Sequence, residues 1–384
     1  MRYPQILERA ADRTRDAQTS SNGHARGIRE RNRAPGLRTR IEQAALRRAE
    51  LARRPGLARP PVAEVVRDLL ADGVIRESGP SQESRPGKPA VMLEFDQRAV
   101  QVIALDLSVP GEVIGALASP DGRLSHRLHR PRTPDAAEAV AGLVAELRSL
   151  ADGPALGIGI GVPTGSSALL GLGPRLAEIL DAPVHLFDDA DLVADAEQRF
   201  GSVGTDFLLV RLGTRIGTAI RVVGDDGAPV ERSIGARELA HVGAGGDPGE
   251  VCLCGRDGCV HAWAAAPAIA RRLDASGADR TQVLAAAGAR LGTSLSVIAA
   301  AVDLPTIVLS GPDEIVAAAL VDATATAVRA ASHPSLGPTV VPSAVEDAVL
   351  LGAATRVVAA EISPRCRTRP SSVPSRPEGR RDSN

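Results

Sequence analysis

The sequence predicts an α/β protein preceded by a small helical module that ends in two strands. Three observations predict it. From about residue 97 to 361, β-rich runs alternate with helix-length apolar segments, which implies sheets covered by helices. Residues 38–73 carry three short runs of helical spacing, broken by Pro55-Gly56 and closed by Gly73, and that is helix-turn-helix spacing. A glycine-rich stretch from Glu238 to His261 gathers Cys252, Cys254, Cys259 and His241. With 384 residues the chain has room for two or three domains.

Hydrophobic residues make up 44% and aromatics only 2%, so the core is built from Ala, Val, Leu and Ile. A net charge of −1 excludes a general polyanion binder. Arginine nevertheless collects in the first 60 and last 20 residues, either as a nucleic-acid-binding end or as solvated termini. The N-terminus has no apolar h-region and the chain has no run of 18 apolar residues. A cytoplasmic protein without a membrane partner is therefore expected.

In chain order, residues 1–26 are polar and aperiodic, as expected of a disordered arm. Ile41, Ala44, Ala45 and Leu46 keep a helical spacing. Ala49, Leu51 and Ala52 suit a short second helix. Val62, Val65, Val66, Leu69 and Leu70 mark a third, ending at Gly73. VIRES and PAVMLEF then alternate like the two strands of a wing. The blander alternative is a three-helix bundle with no DNA role. The next segment, VQVIALDLSVPGEVIGALASPDGRLSHRLH, reads as a β-meander. Residues 135–150 form an amphipathic helix, 156–163 (LGIGIGVP) a buried strand, 174–180 a helix and 183–187 a strand. A helix follows over 189–200, then the strands FLLVRLG and GTAIRVV. Helices are expected over 261–273, 280–301, 313–331 and 343–361, with TIVLSG a strand between them. The tail from about Ser363 is rich in Pro, Arg and Ser and is expected to be disordered.

Cys252, Cys254 and Cys259 form C-x-C-x₄-C, with His241 eleven residues upstream. Three thiolates and one imidazole complete a tetrahedral zinc shell with no open position, the structural pattern. His261 competes as a ligand. Disulfides or free thiols are the alternatives, although nothing in the chain suggests secretion. Cys366 is expected to be free.

The run H-x₁₀-C-x-C-G-x-x-G-C resembles the zinc signature of the ROK family of sugar kinases, sugar-responsive repressors and their relatives. Further motifs fall in the family order from about Arg31 to Glu361. The resemblance implies a winged helix-turn-helix over 27–95, then a two-lobed actin-like ATPase (sugar-kinase-like) domain over 96–362 that carries the zinc loop, and a tail over 363–384. It implies a recognition helix from about Pro60 to Leu70. Arg59 and Arg67 would meet phosphates or bases, and Arg85 and Lys88 would enter the minor groove from the wing. Pro35-Gly36 and Pro60-Pro61 depart from the family pattern.

In ROK sugar kinases the first phosphate loop reads D-x-G-G-T-K, and here it resembles Asp106 to Gly111. Val109 and Pro110 displace the glycines that let backbone amides approach a phosphate. LGTRIGT, around Gly213 to Thr218, keeps more of the second loop. Ser310-Gly311-Pro312 replaces the nucleotide-side glycines. A working ATP site is not expected. The kinases' Asn-Asp pair becomes Asp188-Asp189, with Asp189 in the place of the general base, or else a plain helix N-cap. The family's E-x-G-H becomes Glu238 to His241, and the glutamate two residues after the last cysteine becomes His261. The resemblance therefore implies Asp188, Asp189, Glu238, His241 and His261 as ligand contacts, a structural Zn²⁺ and no catalytic residue beyond the vestigial Asp189. The implied function is a DNA-binding transcriptional regulator, a repressor of carbohydrate genes. Its partners would be operator DNA, a sugar effector and further copies of itself, as homodimer or homotetramer. The alternatives are a divergent sugar kinase using Asp189 as base, and a degenerate relative with neither activity.

Overall fold

The computed structural model describes residues 101–365, except 121, 134, 167–168, 170, 224–228, 233–235, 244–250, 276 and 333–336. Before them it describes 46–47, 67, 70–71, 75–80 and 91–95. In that N-terminal part, β1 (Leu46–Arg47), β2 (Ile75–Pro80) and β3 (Val91–Phe95) form an antiparallel sheet in the order β1-β3-β2. β2 and β3 are the two strands expected of the wing. Leu46 was expected in a helix and is instead paired with Leu93. Its partner lies 47 residues away, and local helical spacing carries no trace of such a pairing. Arg67, Leu70 and Ala71 are helical. The expected arm lies outside the described residues, as does the expected tail beyond Arg365; Ser363 to Arg365, expected to begin that tail, instead continue the last helix by one turn.

The body repeats one sheet pattern twice. β4 (Gln101–Asp106), β5 (Glu112–Ala118), β6 (Leu124–Pro131), β7 (Ala155–Val162) and β8 (Val184–Asp188) stand in the order β6-β5-β4-β7-β8. The meander is antiparallel, while β7 and β8 add in parallel. The second sheet contains β9 (Phe207–Leu212), β10 (Ile216–Val223), β11 (Pro229–Arg232), β12 (Thr306–Ser310) and β13 (Thr339–Pro342). Its order, β11-β10-β9-β12-β13, has the same directions. β11 and β13 were not expected, because each is a four-residue edge strand containing proline.

α1 (Ala136–Leu150) and α2 (Leu172–Leu180) cover one face of the first sheet with Val140, Leu143, Leu147 and Leu176. α3 (Asp189–Phe200) follows the first sheet yet packs on β9 and β10 of the second. The expected helix over 261–273 is broken at Ala265 into α4 (Val260–Ala264) and α5 (Ala266–Leu273), because Pro267 has no N–H with which to continue α4. α6 (Arg280–Val302) pairs with α7 (Ala318–Ala331). By length and composition alone α6 could cross a bilayer, but its Leu284, Leu291 and Leu295 are in the core of the second lobe.

α8 (Ala348–Arg365) ends the second half and returns to the first sheet, against β4, β5 and β7. The alternation in LGIGIGV explains how. Ile158 and Ile160 face α1 and α2, and Gly157, Gly159 and Gly161 present a bare stripe to α8. A Cβ at Gly159 would lie 2.7 Å from Val357 and 2.9 Å from the Ala353 carbonyl. α3 and α8 thus exchange lobes and cross each other. Asp195 of α3 fixes the crossing through Arg356 of α8 and the fully buried Arg221 of β10, whose Nη2 lies 2.8 Å from its Oδ1.

Candidate functional site

The carboxyl ends of β4, β8, β9 and β12 converge between the lobes, where ligands settle in open α/β sheets. They deliver Asp106, Asp188-Asp189, Arg211 and Ser310. Asp189 is 2% exposed. Its Oδ1 accepts hydrogen bonds from the amide of Thr164 (2.9 Å), the hydroxyl of Thr164 (2.8 Å) and the amide of Ala190 (2.9 Å). Its Oδ2 accepts from Arg211 Nε at 3.0 Å. The same guanidinium donates to Ser310 Oγ and to Ser108 Oγ, both at 3.1 Å. Arg211 therefore reaches from the second lobe across the cleft and is bonded on three sides. A carboxylate held in this way has its acceptor sites engaged and is poorly placed to take a proton from a hydroxyl.

The first phosphate-like loop is similarly closed. The Ser108 amide, which would face a phosphate, donates to Asp106 Oδ1 at 2.7 Å. Pro110 has no amide to offer. Burial pushes the Asp106 carboxyl above its ordinary range, against the opposing pull of Arg211 and the Ser108 hydrogen bonds. Beside Ser310-Gly311, a cavity of about 260 Å³ is lined by Asp106, Asp313, Glu346 and Asp347 together with Arg211. Among the described residues that line it, carboxylates outnumber guanidinium even though Asp347 is paired with Arg127 at 3.1 Å, which disfavours a polyphosphate.

The cysteine loop is built by two tight turns. Gly255 and Gly258 have φ of +82° and +71°, which only glycine adopts without strain. Backbone bonds from Cys252 N to the Arg256 carbonyl (2.9 Å) and from Gly255 N to the Cys252 carbonyl (2.8 Å) fold the knuckle. The 3₁₀ turn Ala236–His241 brings in the imidazole. One donor atom each from His241, Cys252, Cys254 and Cys259 lies within 4.8 Å of the others, a group that can hold a metal ion. Cys252 Sγ is 3.4 Å from His241 Nδ1, and Cys254 Sγ is 3.6 Å from Cys259 Sγ. Ligand separations of this size fit sulfur bonds of about 2.3 Å to a tetrahedral ion and are far too long for a disulfide bond. Hydrogen bonds from Arg256 lower the Cys254 thiol to about 6, while burial raises Cys259 to about 12.

His261, the competing ligand, is not in this group. Its ring stacks on His241 with centroids 5.9 Å apart, and its buried Nε2 has no hydrogen-bond partner among the described residues. Burial, then the charges of His241, Arg215 and Arg271, hold it below its ordinary range. Asp188 is the N-cap of α3 but makes no capping bond, and Glu238 lies three residues before His241 in the 3₁₀ turn. Arg67 is exposed on its helix; Arg59, Arg85 and Lys88 lie outside the described residues. Sequence reasoning missed Arg211 and Arg215. The first leaves a signal, a lone arginine inside the apolar strand FLLVRLG, which requires a buried partner. Arg215 Nη1 donates across the cleft to the Gly165 carbonyl at 2.7 Å.

The ROK family profile matches residues 124–359, well over half of the chain. Among solved structures, a ROK family transcriptional regulator, a homologue of the E. coli MLC protein, superposes with a TM-score of 0.68 at 19% identity. The match covers 88% of this chain and 98% of that one. The ROK hexokinase of Thermus thermophilus superposes with a TM-score of 0.54 at 24% identity, covering 69% of this chain and 99% of that one. A ROK family glucokinase from Streptomyces griseus, in complex with glucose and AMPPNP, gives 0.52 at 20% identity, covering 66% and 98%. No curated protein sequence matches significantly.

Proposed function

Because the chain belongs to the ROK family, whose solved structures include both a transcriptional regulator and sugar kinases, we propose that it is a transcriptional regulator that has lost kinase chemistry. The observation that carries this reading is Arg211. It occupies the cleft, neutralises Asp189 and ties down Ser108 of the first phosphate-like loop. A kinase needs that carboxylate turned toward a sugar hydroxyl and those loop amides turned toward phosphate. The extent of the likenesses agrees. The kinases cover about as much of this chain as the body 101–365 occupies, whereas the regulator covers 88%.

In this reading residues 27–95 form a winged helix-turn-helix that docks on operator DNA. Residues 96–362 form the sensing domain for a sugar or sugar derivative, and the protein works as a dimer or tetramer. Zn²⁺ on His241, Cys252, Cys254 and Cys259 would supply no chemistry beyond cross-linking the loop. Held there, His241 fixes the approach of Glu238 and supports the stacked His261. Leu70, on the segment read as the recognition helix, packs against the core cluster that contains α3 and α8, which offers a mechanical path from cleft to DNA.

The test is selection of a binding sequence from random DNA, followed by footprinting. A protein lacking residues 1–95 should lose the footprint and keep its zinc. ATP-dependent phosphorylation of glucose, N-acetylglucosamine, N-acetylmannosamine or xylose should stay at background. Turnover that disappears in Asp189→Asn would establish the kinase reading instead.

A further inference from the structure

We propose that the mouth of the interlobe cleft binds the acidic group of a sugar-derived effector, a phosphate or a carboxylate, on Arg132, Arg175 and Arg215. The inference rests on the sensing reading above and names the class of ligand. A cavity of about 800 Å³ opens there, the size of ordinary small-molecule sites. The three arginines line it with Asp135, so among the described residues guanidinium outnumbers carboxylate three to one.

These arginines are pinned in place without being used up. Arg132 Nη1 donates to the Leu107 carbonyl at 2.9 Å, Arg215 Nη1 to the Gly165 carbonyl at 2.7 Å, and Arg175 Nη2 to Asp135 at 3.2 Å. A guanidinium carries five N–H donors in a fixed fork, so one anchoring bond leaves most of each fork for a ligand. Asp135 is already engaged. It caps α1 by accepting from the Ala137 amide at 3.0 Å and pairs with Arg175.

This donor balance selects the ligand. The hydroxyls of a neutral hexose need acceptors as well as donors, and guanidinium offers none. A phosphate or carboxylate needs donors alone and pairs with guanidinium bidentately. Ser166 and Thr214 also line the cavity and suit the hydroxyls on the rest of a sugar. Thr214 and Arg215 belong to the second lobe, and the other lining groups named here belong to the first, so a bound anion would bridge the lobes. The other cavity, lined by Asp106, Asp313, Glu346 and Asp347, is acidic, which leaves the arginine-lined one as the place for an anion.

The experiment is calorimetric titration of the full-length protein with glucose, glucose 6-phosphate, glucuronate and inorganic phosphate, with operator retention read in the same samples. One or both anionic sugars should bind about tenfold or more tighter than glucose and than phosphate alone, the gain expected of one charge-assisted pair. Which of the two binds identifies phosphate or carboxylate. Arg175→Gln, at a residue more than half exposed, should remove that advantage, and Arg175→Lys should keep part of it. Glucose binding as tightly as its anionic forms would overturn the proposal and leave sugar sensing intact. Phosphate alone binding equally well would overturn the sugar-derived part. If no probe binds and operator retention never changes, both the proposal and the sensing reading fall.

Discussion

Replacing Arg211 with Met keeps the side chain's apolar length and removes its charge. Asp189 Oδ2 then faces no donor at a site where its side chain is only 3% exposed. Breaking a buried ion pair from one side costs about 3–5 kcal/mol. Arg211 itself is 15% exposed, so some water reaches the pair, and Oδ1 keeps its bonds to Thr164 and Ala190. Both facts place the loss near the lower end, about 3 kcal/mol. In a body of this size that lowers Tm by roughly 6–12 °C. Asp189→Asn added to Arg211→Met removes the orphaned charge while keeping an acceptor for Thr164, so the double variant should recover about half of the loss. Urea and thermal denaturation of the four proteins would give the coupling directly. If Arg211→Met stays within about 1 kcal/mol of the parent, or if the two losses simply add, the clasp across the cleft is not holding the lobes and the argument against kinase chemistry loses its main support.

Asp106 makes a pH-dependent prediction. Its folded pKa is raised above 3.8, so the folded state binds a proton more readily than the unfolded chain. The ionised carboxyl then costs stability as pH rises from 3.8 through the folded pKa. Asp106→Asn should therefore be more stable than the parent at pH 7, with the difference closing as the pH of the melt approaches 3.8. Cys254→Ser should lower metal content below one zinc per chain by elemental analysis and weaken the effector response while leaving operator binding intact. A parent protein that is metal-free as isolated and indifferent to chelator would refute the zinc assignment. A Cβ at Gly352 would overlap the Leu192 carbonyl where α8 crosses α3. Gly352→Val should thus cost roughly 3 kcal/mol or more, whereas Gly171→Ala, with open space around it, should melt within about 0.5 kcal/mol of the parent.

The α/β body was legible because its strands and helices carry clear periods. The stripe LGIGIGV announced a buried strand, and the cysteine spacing announced a cluster whose donors the fold does bring together. Long-range pairings left no local mark. Leu46 reads as helical and pairs with a strand 47 residues later, and β11 and β13 are too short for any period. In the cleft, the lost glycines at Val109 and Pro110 could be read directly. What replaced them could not, because the partner of Arg211 is chosen by the meeting of β9 with α3, a contact set only when both sheets are built. Arg215 stood in plain view within LGTRIGT, but its role depends on the Gly165 carbonyl of the other lobe.

The exchange of α3 and α8 also bears on how the chain is made. The glycine face of β7, in the first lobe, is covered by residues 348–365, near the far end of the sequence. A ribosome emits β4 to β8 long before that cover exists. The first lobe must therefore wait, with an apolar sheet face uncovered, until residues 348–365 have emerged. Chains that stop short of α8 should fail in their N-terminal half rather than at the cut, and surplus α8 supplied in trans should rescue them.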